Sequence, residues 1–203
     1  MNAQIFEQAR QYALQRLERE LSTSLVYHSF MHTHEEVVPA AARLAQREGI
    51  QGTSLYLLLT AAWFHDLGFI EQITNNEAIG ARIASEVLPS FGYTQEQVEV
   101  VQSAIMATAL PQSPGNLLEA VLADADMDVL GSGNFLQRNV DLRRELAALG
   151  TEFTDIDWYL GQVKFVGDHR YFTHSARALR DRQKSLNVNK LKRLLAACAA
   201  APA

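Results

Sequence analysis

The sequence predicts an all-α fold, and three observations carry the prediction. No segment of the 203 residues sustains the period-two alternation of a half-buried strand. Apolar residues recur instead at helical spacing along most of the chain. Glycine, proline and capping residues punctuate these segments at helix-length intervals.

The first helix is expected from Ala3 to Leu21, with Ile5, Ala13, Leu14, Leu17 and Leu21 on one broad face. A second starts near His32, carries Val37, Val38, Ala41, Leu44 and Ala45, and stops at Gly49. The third, Ser54 to Leu67, is apolar on nearly every side, as a buried helix is. Leu55–Leu59 alone would suit a strand, but the apolar run continues past strand length, and Gly68 closes it. A fourth helix spans Asn76 to Leu88 and stops before Pro89. The fifth opens on the capping-box pattern Thr94-Gln95-Glu96-Gln97 and ends before Pro111. The sixth covers Asn116–Leu130 and ends at Gly131. Further helices are expected over Phe135–Leu149, Asp155–Val166, Tyr171–Lys184 and Val188–Ala199, and the closing Ala-Ala-Ala-Pro-Ala reads as a frayed tail.

Bulk properties narrow the function classes. Hydrophobic residues make up 48% and charged residues 20%, ordinary values for a globular chain, and the length suits one domain over residues 1–203. A net charge of −5 argues against a general nucleic-acid binder, which carries a basic footprint. The longest apolar stretch, around Leu55–Phe64, is too short to span a bilayer, and Met1–Arg10 lacks the pattern of a signal peptide. A lone cysteine, Cys198, forms neither an intramolecular disulfide nor a Cys-x-x-Cys site, so a cytoplasmic location is expected.

Three polar clusters interrupt the apolar pattern. His65 and Asp66 end the run Leu-Leu-Leu-Thr-Ala-Ala-Trp-Phe, where a buried charge needs a partner, either a metal or a structural ion pair. Tyr27-His28-Ser29-Phe30-Met31-His32-Thr33-His34 holds three of the six histidines, and His28 and His32 share a face if the helix begins that early. These are candidate metal ligands or exposed residues of a capped helix start. In Leu122-Ala123-Asp124-Ala125-Asp126-Met127-Asp128 the aspartates alternate, so they cannot all lie on one solvated face. At least one is directed inward, where a cation relieves the repulsion between carboxylates.

Taken in order, Tyr-His-Ser-Phe-Met-His-Thr, Ala-Ala-Trp-Phe-His-Asp-Leu-Gly, Ile-Met-Ala-Thr and Leu-Ala-Asp-Ala-Asp-Met-Asp-Val-Leu-Gly resemble the HD superfamily of metal-dependent phosphohydrolases, over Tyr27 to Gly131. The resemblance implies an HD-domain helical bundle with additional C-terminal helices over 132–200. It implies one divalent metal (Mn, Fe, Co, Ni, Zn or Mg) held by His32, His65, Asp66 and Asp126, with His34 and Asp124 as the alternatives at two positions. The segments Leu142-Arg143-Arg144-Glu145 and Arg170-Tyr171-Phe172-Thr173, with Asn187, look similar to a branch known as predicted HD phosphohydrolases.

The departures from the family pattern are specific. Asn75-Asn76-Glu77 stands where relatives with a second metal carry Asn-His-Glu, and no histidine follows Ile105-Met106-Ala107-Thr108, so one metal is expected. Leu67, Gly68, Phe69 and Ile70 precede the first acid, Glu71, where (p)ppGpp hydrolases carry an acidic pair, and that activity is not expected.

The implied reaction is metal-assisted hydrolysis of a nucleotide or another small phosphorylated metabolite by activated water. Asp66, His28 and Glu77 are the candidate catalytic residues, with Glu71 a further candidate base. Lys164, Arg170, Arg177, Arg180, Arg182 and Lys184 either meet phosphate or form charge pairs on a solvated face. The alternative function is a non-catalytic, metal-containing nucleotide sensor or interaction module. No nucleic-acid or membrane partner is expected, and a homo-oligomer stays open.

Overall fold

A computed structural model describes residues 2–200. Its helices form two compact units. One comprises the chain up to Thr23 together with His28–Met127, and the other comprises Ser24–Tyr27 and the chain from Asp128 onward. Among the described residues the regular structure is entirely helical.

The first unit holds α1 (Ala3–Glu20), a π-helical turn (His32–Val37), α2 (Val38–Arg47), α3 (Gly52–Phe64), a 3₁₀ turn (Leu67–Ile70), α4 (Asn76–Val87), a second 3₁₀ turn (Leu88–Phe91), α5 (Gln95–Met106) and α6 (Leu117–Asp126). Helix α3 packs against α1, α2, α5 and α6, which explains why its sequence is apolar all round. Leu58, Ala61, Ala62 and Phe64 are completely buried there. The capping box at the start of α5 forms as expected, with Thr94 and Gln97 exchanging side-chain and backbone hydrogen bonds.

Three boundaries differ from the expectation. The second helix begins as a π turn. Pro39 has no N–H to donate to the Glu35 carbonyl, and its ring would crowd that carbonyl in a regular α-helix, so a wider turn precedes it. The third helix ends at Phe64, and Gly68 lies inside the following 3₁₀ turn instead of terminating the helix. The sixth helix ends at Asp126, so Asp128 does not continue it but opens a 3₁₀ turn, Asp128–Gly131, in the second unit.

That second unit adds α7 (Phe135–Ala148), α8 (Asp155–Asp168) and α9 (His174–Ala200). The two helices expected over Tyr171–Lys184 and Val188–Ala199 are one continuous helix. Ser185 bonds back to the Asp181 carbonyl within it, and Asn187 directs its amide outward, so neither breaks the backbone ladder. Of the expected frayed tail, Ala199 and Ala200 belong to α9, and residues 201–203 lie outside the described residues.

Polar contacts fix this unit internally. Asn187 donates to the carbonyls of Leu130 at 3.0 Å and Ser132 at 2.9 Å. Arg180 forms a bidentate pair with Asp128, and a Cβ at Gly131 would overlap the Arg180 backbone. The buried Glu145 accepts from the Tyr27 N–H at 2.7 Å, while Arg138 donates to the Tyr27 carbonyl at 2.7 Å. Among the described residues no helix is long and apolar enough to cross a membrane.

Asn187→Ala leaves two buried carbonyls without this donor. We expect a loss of about 1–3 kcal/mol in unfolding free energy, read by thermal or denaturant unfolding. A change too small to resolve would contradict the role assigned to Asn187.

Candidate metal centre

Four side chains from three segments of the first unit meet at helix ends. His32 opens the π turn, His65 and Asp66 follow the last residue of α3, and Asp126 is the last residue of α6. The ligand atoms of His32, His65 and Asp66 lie within 4.8 Å of one another. Asp126 Oδ1 lies 3.3 Å from His32 Nε2 and 3.6 Å from His65 Nε2. Asp66 Oδ2 lies 3.2 Å from His65 Nε2 and 3.9 Å from His32 Nε2. Both imidazoles are 1% exposed, so solvent does little to stabilise charge at their ring nitrogens.

The outer nitrogens fix the rings. His65 Nδ1 donates to the Ala62 carbonyl at 2.8 Å, which leaves Nε2 as the lone-pair atom. His32 Nδ1 pairs with Glu36 at 2.9 Å, and this likewise turns its Nε2 inward. Such outer partners orient an imidazole and raise its basicity as a ligand. Glu36 did not stand out in the sequence, although its position four residues after His32 is a usable signal.

Protonation here follows from mutual charge. Burial lowers the His32 imidazole, but the hydrogen bonds to Asp126 and Glu36 and the nearby carboxylate charges outweigh it and raise it to about 9. His65 is likewise raised well above its ordinary value, against the effect of burial, chiefly by the charge of Asp66. Burial pushes Asp66 and Asp126 up, and the two imidazoles more than reverse this, holding both carboxyls below the usual range.

A divalent cation fits this donor set. Two imidazoles and two carboxylates suit a borderline metal. His65 Nε2 and Asp66 Oδ2 lie 3.2 Å apart without meeting hydrogen-bond geometry, and a cation in place of the proton between them would take up the lone pairs of both. Asp66 follows the C-terminus of α3 and Asp126 ends α6, and helix C-termini carry partial negative charge that favours a cation.

The remaining candidates divide. His28 lies beside the cluster, its ring stacked on Phe69 at 4.5 Å and edge-on to His32 at 5.9 Å. No helix begins as early as His28, so the shared helix face that would have joined it to His32 does not form. His34 packs edge-on against Phe30 and Trp63, with ring centroids 5.0 and 5.6 Å away. Asp124 is fully buried on α6, about 200° round the helix from Asp126. Glu77 is half-buried in the first turn of α4 and makes no hydrogen bond or ion pair among the described residues. Glu71 is exposed and paired with Arg82. Most of the basic cluster forms structural contacts: Arg180 with Asp128, Arg177 with the Tyr171 carbonyl, and Lys164 with Asp168.

The turn carrying the His-Asp pair depends on close backbone approach. A Cβ at Gly68 would overlap the Asn76 backbone at the start of α4, and one at Gly80 would come within 2.9 Å of the Phe64 carbonyl. Helix α4 is thereby pressed against the end of α3 and the turn after it.

No protein-family model and no curated protein matches the sequence. Solved structures do share its fold. A Lactobacillus plantarum protein matches with TM-score 0.71 at 20% identity, covering 98% of this chain and 99% of that one. A predicted HD superfamily hydrolase from an uncultured Thermotogales bacterium matches with TM-score 0.63 at 20% identity, over 94% and 91% of the two chains. Bacillus subtilis YpgQ, solved in complex with ADP, matches with TM-score 0.64 at 18% identity, over 93% and 95%. The chain therefore has the all-helical fold expected from its HD-like motifs.

Two measurements test the geometry. Glu36→Gln keeps the shape but weakens the outer hydrogen bond, and Mn²⁺ affinity by calorimetry should fall about tenfold or more while secondary structure is retained. Unchanged affinity would remove Glu36 from the site. Gly68→Ala should lower both the unfolding temperature and metal affinity, whereas a fully stable variant would contradict the close packing at Asn76.

Proposed function

We propose that His32, His65, Asp66 and Asp126 hold one divalent metal ion and that the protein hydrolyses a phosphate ester or anhydride of a nucleotide or other small phosphorylated metabolite. The observation that carries this reading is the convergence of four ligand atoms, His32 Nε2, His65 Nε2, Asp66 Oδ2 and Asp126 Oδ1, at one buried point of the first unit.

A divalent cation at such a site supplies Lewis-acid polarisation of a phosphoryl oxygen and acidifies water. The chain's own residues supply the rest. Glu36 and the Ala62 carbonyl hold the two imidazoles in orientation. Asp66 is the candidate to accept a proton from water beside the cluster. His28, stacked on Phe69 beside His32, is the candidate to protonate the leaving oxygen or to orient a neighbouring ligand. Glu77 is the third candidate, from the first turn of α4. The ADP bound to the similarly folded YpgQ supports a nucleotide as the substrate class. A lone cysteine supports a cytoplasmic location.

A second reading, a nucleotide-binding sensor that keeps the metal without turnover, is favoured by one observation. Of the acids nearest in sequence to the His-Asp pair, Glu71 is taken up by Arg82, and among the described residues Glu77 makes no hydrogen bond or ion pair that would hold it toward the cluster.

Turnover of a nucleotide and sugar-phosphate panel with Mn²⁺, Co²⁺, Ni²⁺ and Mg²⁺ in turn distinguishes them. Hydrolysis should depend on the metal and vanish, with metal binding, in Asp66→Ala. Full activity in that variant would sink the assignment, and tight nucleotide binding with no turnover under any metal would favour the sensor.

A further inference from the structure

The second unit contains a cavity of about 490 Å³ between the end of α8 and the middle of α9. That volume lies in the range of small-molecule sites, about 300–1,000 Å³. Its polar lining is strongly one-sided. Arg170, Lys184 and Lys192 face it against a single carboxylate, Asp181, with Ser185 and Asn189 completing the wall. The whole chain carries a net charge of −5, so a local excess of two positive charges is not an average property of this surface.

The three cations are held differently. Lys184 is 6% exposed, and its ammonium donates to the His169 carbonyl at 2.6 Å and sits 4.9 Å over the Tyr171 ring. It is a fixed charge, already ordered before any ligand arrives. Asp181 is 3.9 Å away with half of its side chain exposed, so it offsets that charge only weakly. Arg170 spends one terminal nitrogen on the carbonyls of Gly167 and His169. Its other terminal nitrogen and Nε make no hydrogen bond among the described residues and remain available as a planar two-pronged donor. Lys192 is exposed and makes no ion pair among the described residues.

The field of these groups is felt by their neighbour. Burial lowers His169, and the charges of Lys184 and Arg170 lower it further, to about 4, so it is neutral near neutral pH. Its Nδ1 lies 3.2 Å from the Lys184 ammonium and accepts from it, which places the ring proton on Nε2. That buried N–H has no hydrogen-bond partner.

We propose that this cavity is a binding site for a small phosphate polyanion of the pyrophosphate class, either free or as the diphosphate of a nucleotide. The inference does not depend on the metal centre, since none of the four proposed ligands lines the cavity. Two-pronged Arg170 and the exposed Lys192 offer donors to adjacent phosphoryl groups, and the fixed charge of Lys184 adds to the positive field. An apolar ligand does not suit this lining, and a cation would face three positive groups.

The test is calorimetric titration of the full-length protein with inorganic pyrophosphate, in the presence and absence of EDTA. Binding should persist in EDTA, weaken with added salt, and fall about tenfold in each of Arg170→Ala and Lys192→Ala, the loss of one charge-assisted contact. Both side chains are exposed, so the variants should fold, and Lys190→Ala serves as a charge-matched control with unchanged affinity. Equal affinity for ADP would identify the diphosphate as the recognised group. Tighter ADP binding, lost in the same variants, would identify a nucleotide. No pyrophosphate binding, binding abolished by EDTA, or binding insensitive to both substitutions would overturn the proposal.

Discussion

The structure of the first unit turns on one electrostatic constraint. Two imidazoles and two carboxylates meet at helix ends packed into a largely apolar interior, where water cannot meet the solvation cost of charge. Such a cluster is tolerated only when charge is balanced within it. Protons provide that balance by binding to the imidazoles, which is why His32 is raised to about 9 and Asp126 is held low. A divalent cation at the proposed site would provide it in another way, using the same lone pairs. Proton and metal would then compete for one site, since the donor set is neutral overall with either two protons or one divalent ion.

This constraint explains features of the fold that local propensity does not. Helix α3 must stop at Phe64 so that His65 and Asp66 lie at its end, near the negative pole of the helix, instead of within it. The backbone then turns sharply through Gly68, and only glycine lets Asn76 approach so closely. The π turn at His32–Val37 belongs to the same arrangement. Pro39 disfavours a regular helix upstream, and the wider turn carries both His32 and the Glu36 that holds its outer nitrogen. A local backbone irregularity and the orientation of a candidate ligand thus have a common origin.

Helical class, most boundaries and the His65-Asp66 pair left a pattern in the sequence, whereas the choice of His32 and Asp126 among their neighbours rested on the family resemblance. Apolar periodicity marked α1, an unbroken apolar run marked α3, Thr94 and Gln97 marked the start of α5, and His65-Asp66 stood out as charge at the end of that run. What was not legible came from contacts distant along the chain. Ser185 and Asn187 look like a break, yet Asn187 bonds to Leu130 and Ser132 and α9 continues. Asp128 looks like a third member of the aspartate cluster, yet Arg180, far along the chain, claims it. Arg170, Arg177 and Arg180 share a basic segment, and only the folded unit reveals that Arg180 and Arg177 are committed while part of the Arg170 guanidinium is not. Sequence spacing identifies charge, and only tertiary pairing tells which charge remains available.

The same distinction bears on the chemistry proposed for the metal centre. Its metal-binding donors are abundant, but its proton donors are few. Among the described residues Glu71 is neutralised by Arg82, Glu77 makes no hydrogen bond or ion pair, Glu36 is engaged by His32, and His28 sits against the cluster, braced by Phe69. Hydrolysis of an alkyl phosphate monoester expels a strongly basic alkoxide, which needs a well-placed acid. Cleavage of a phosphoanhydride expels a phosphate, a far weaker base that can leave without full protonation. A centre with strong Lewis-acid capacity and a single neighbouring imidazole is therefore better matched to anhydride cleavage than to the monoester reaction. The shortage of acids that favours a sensor also narrows the hydrolase reading toward the substrates that need an acid least.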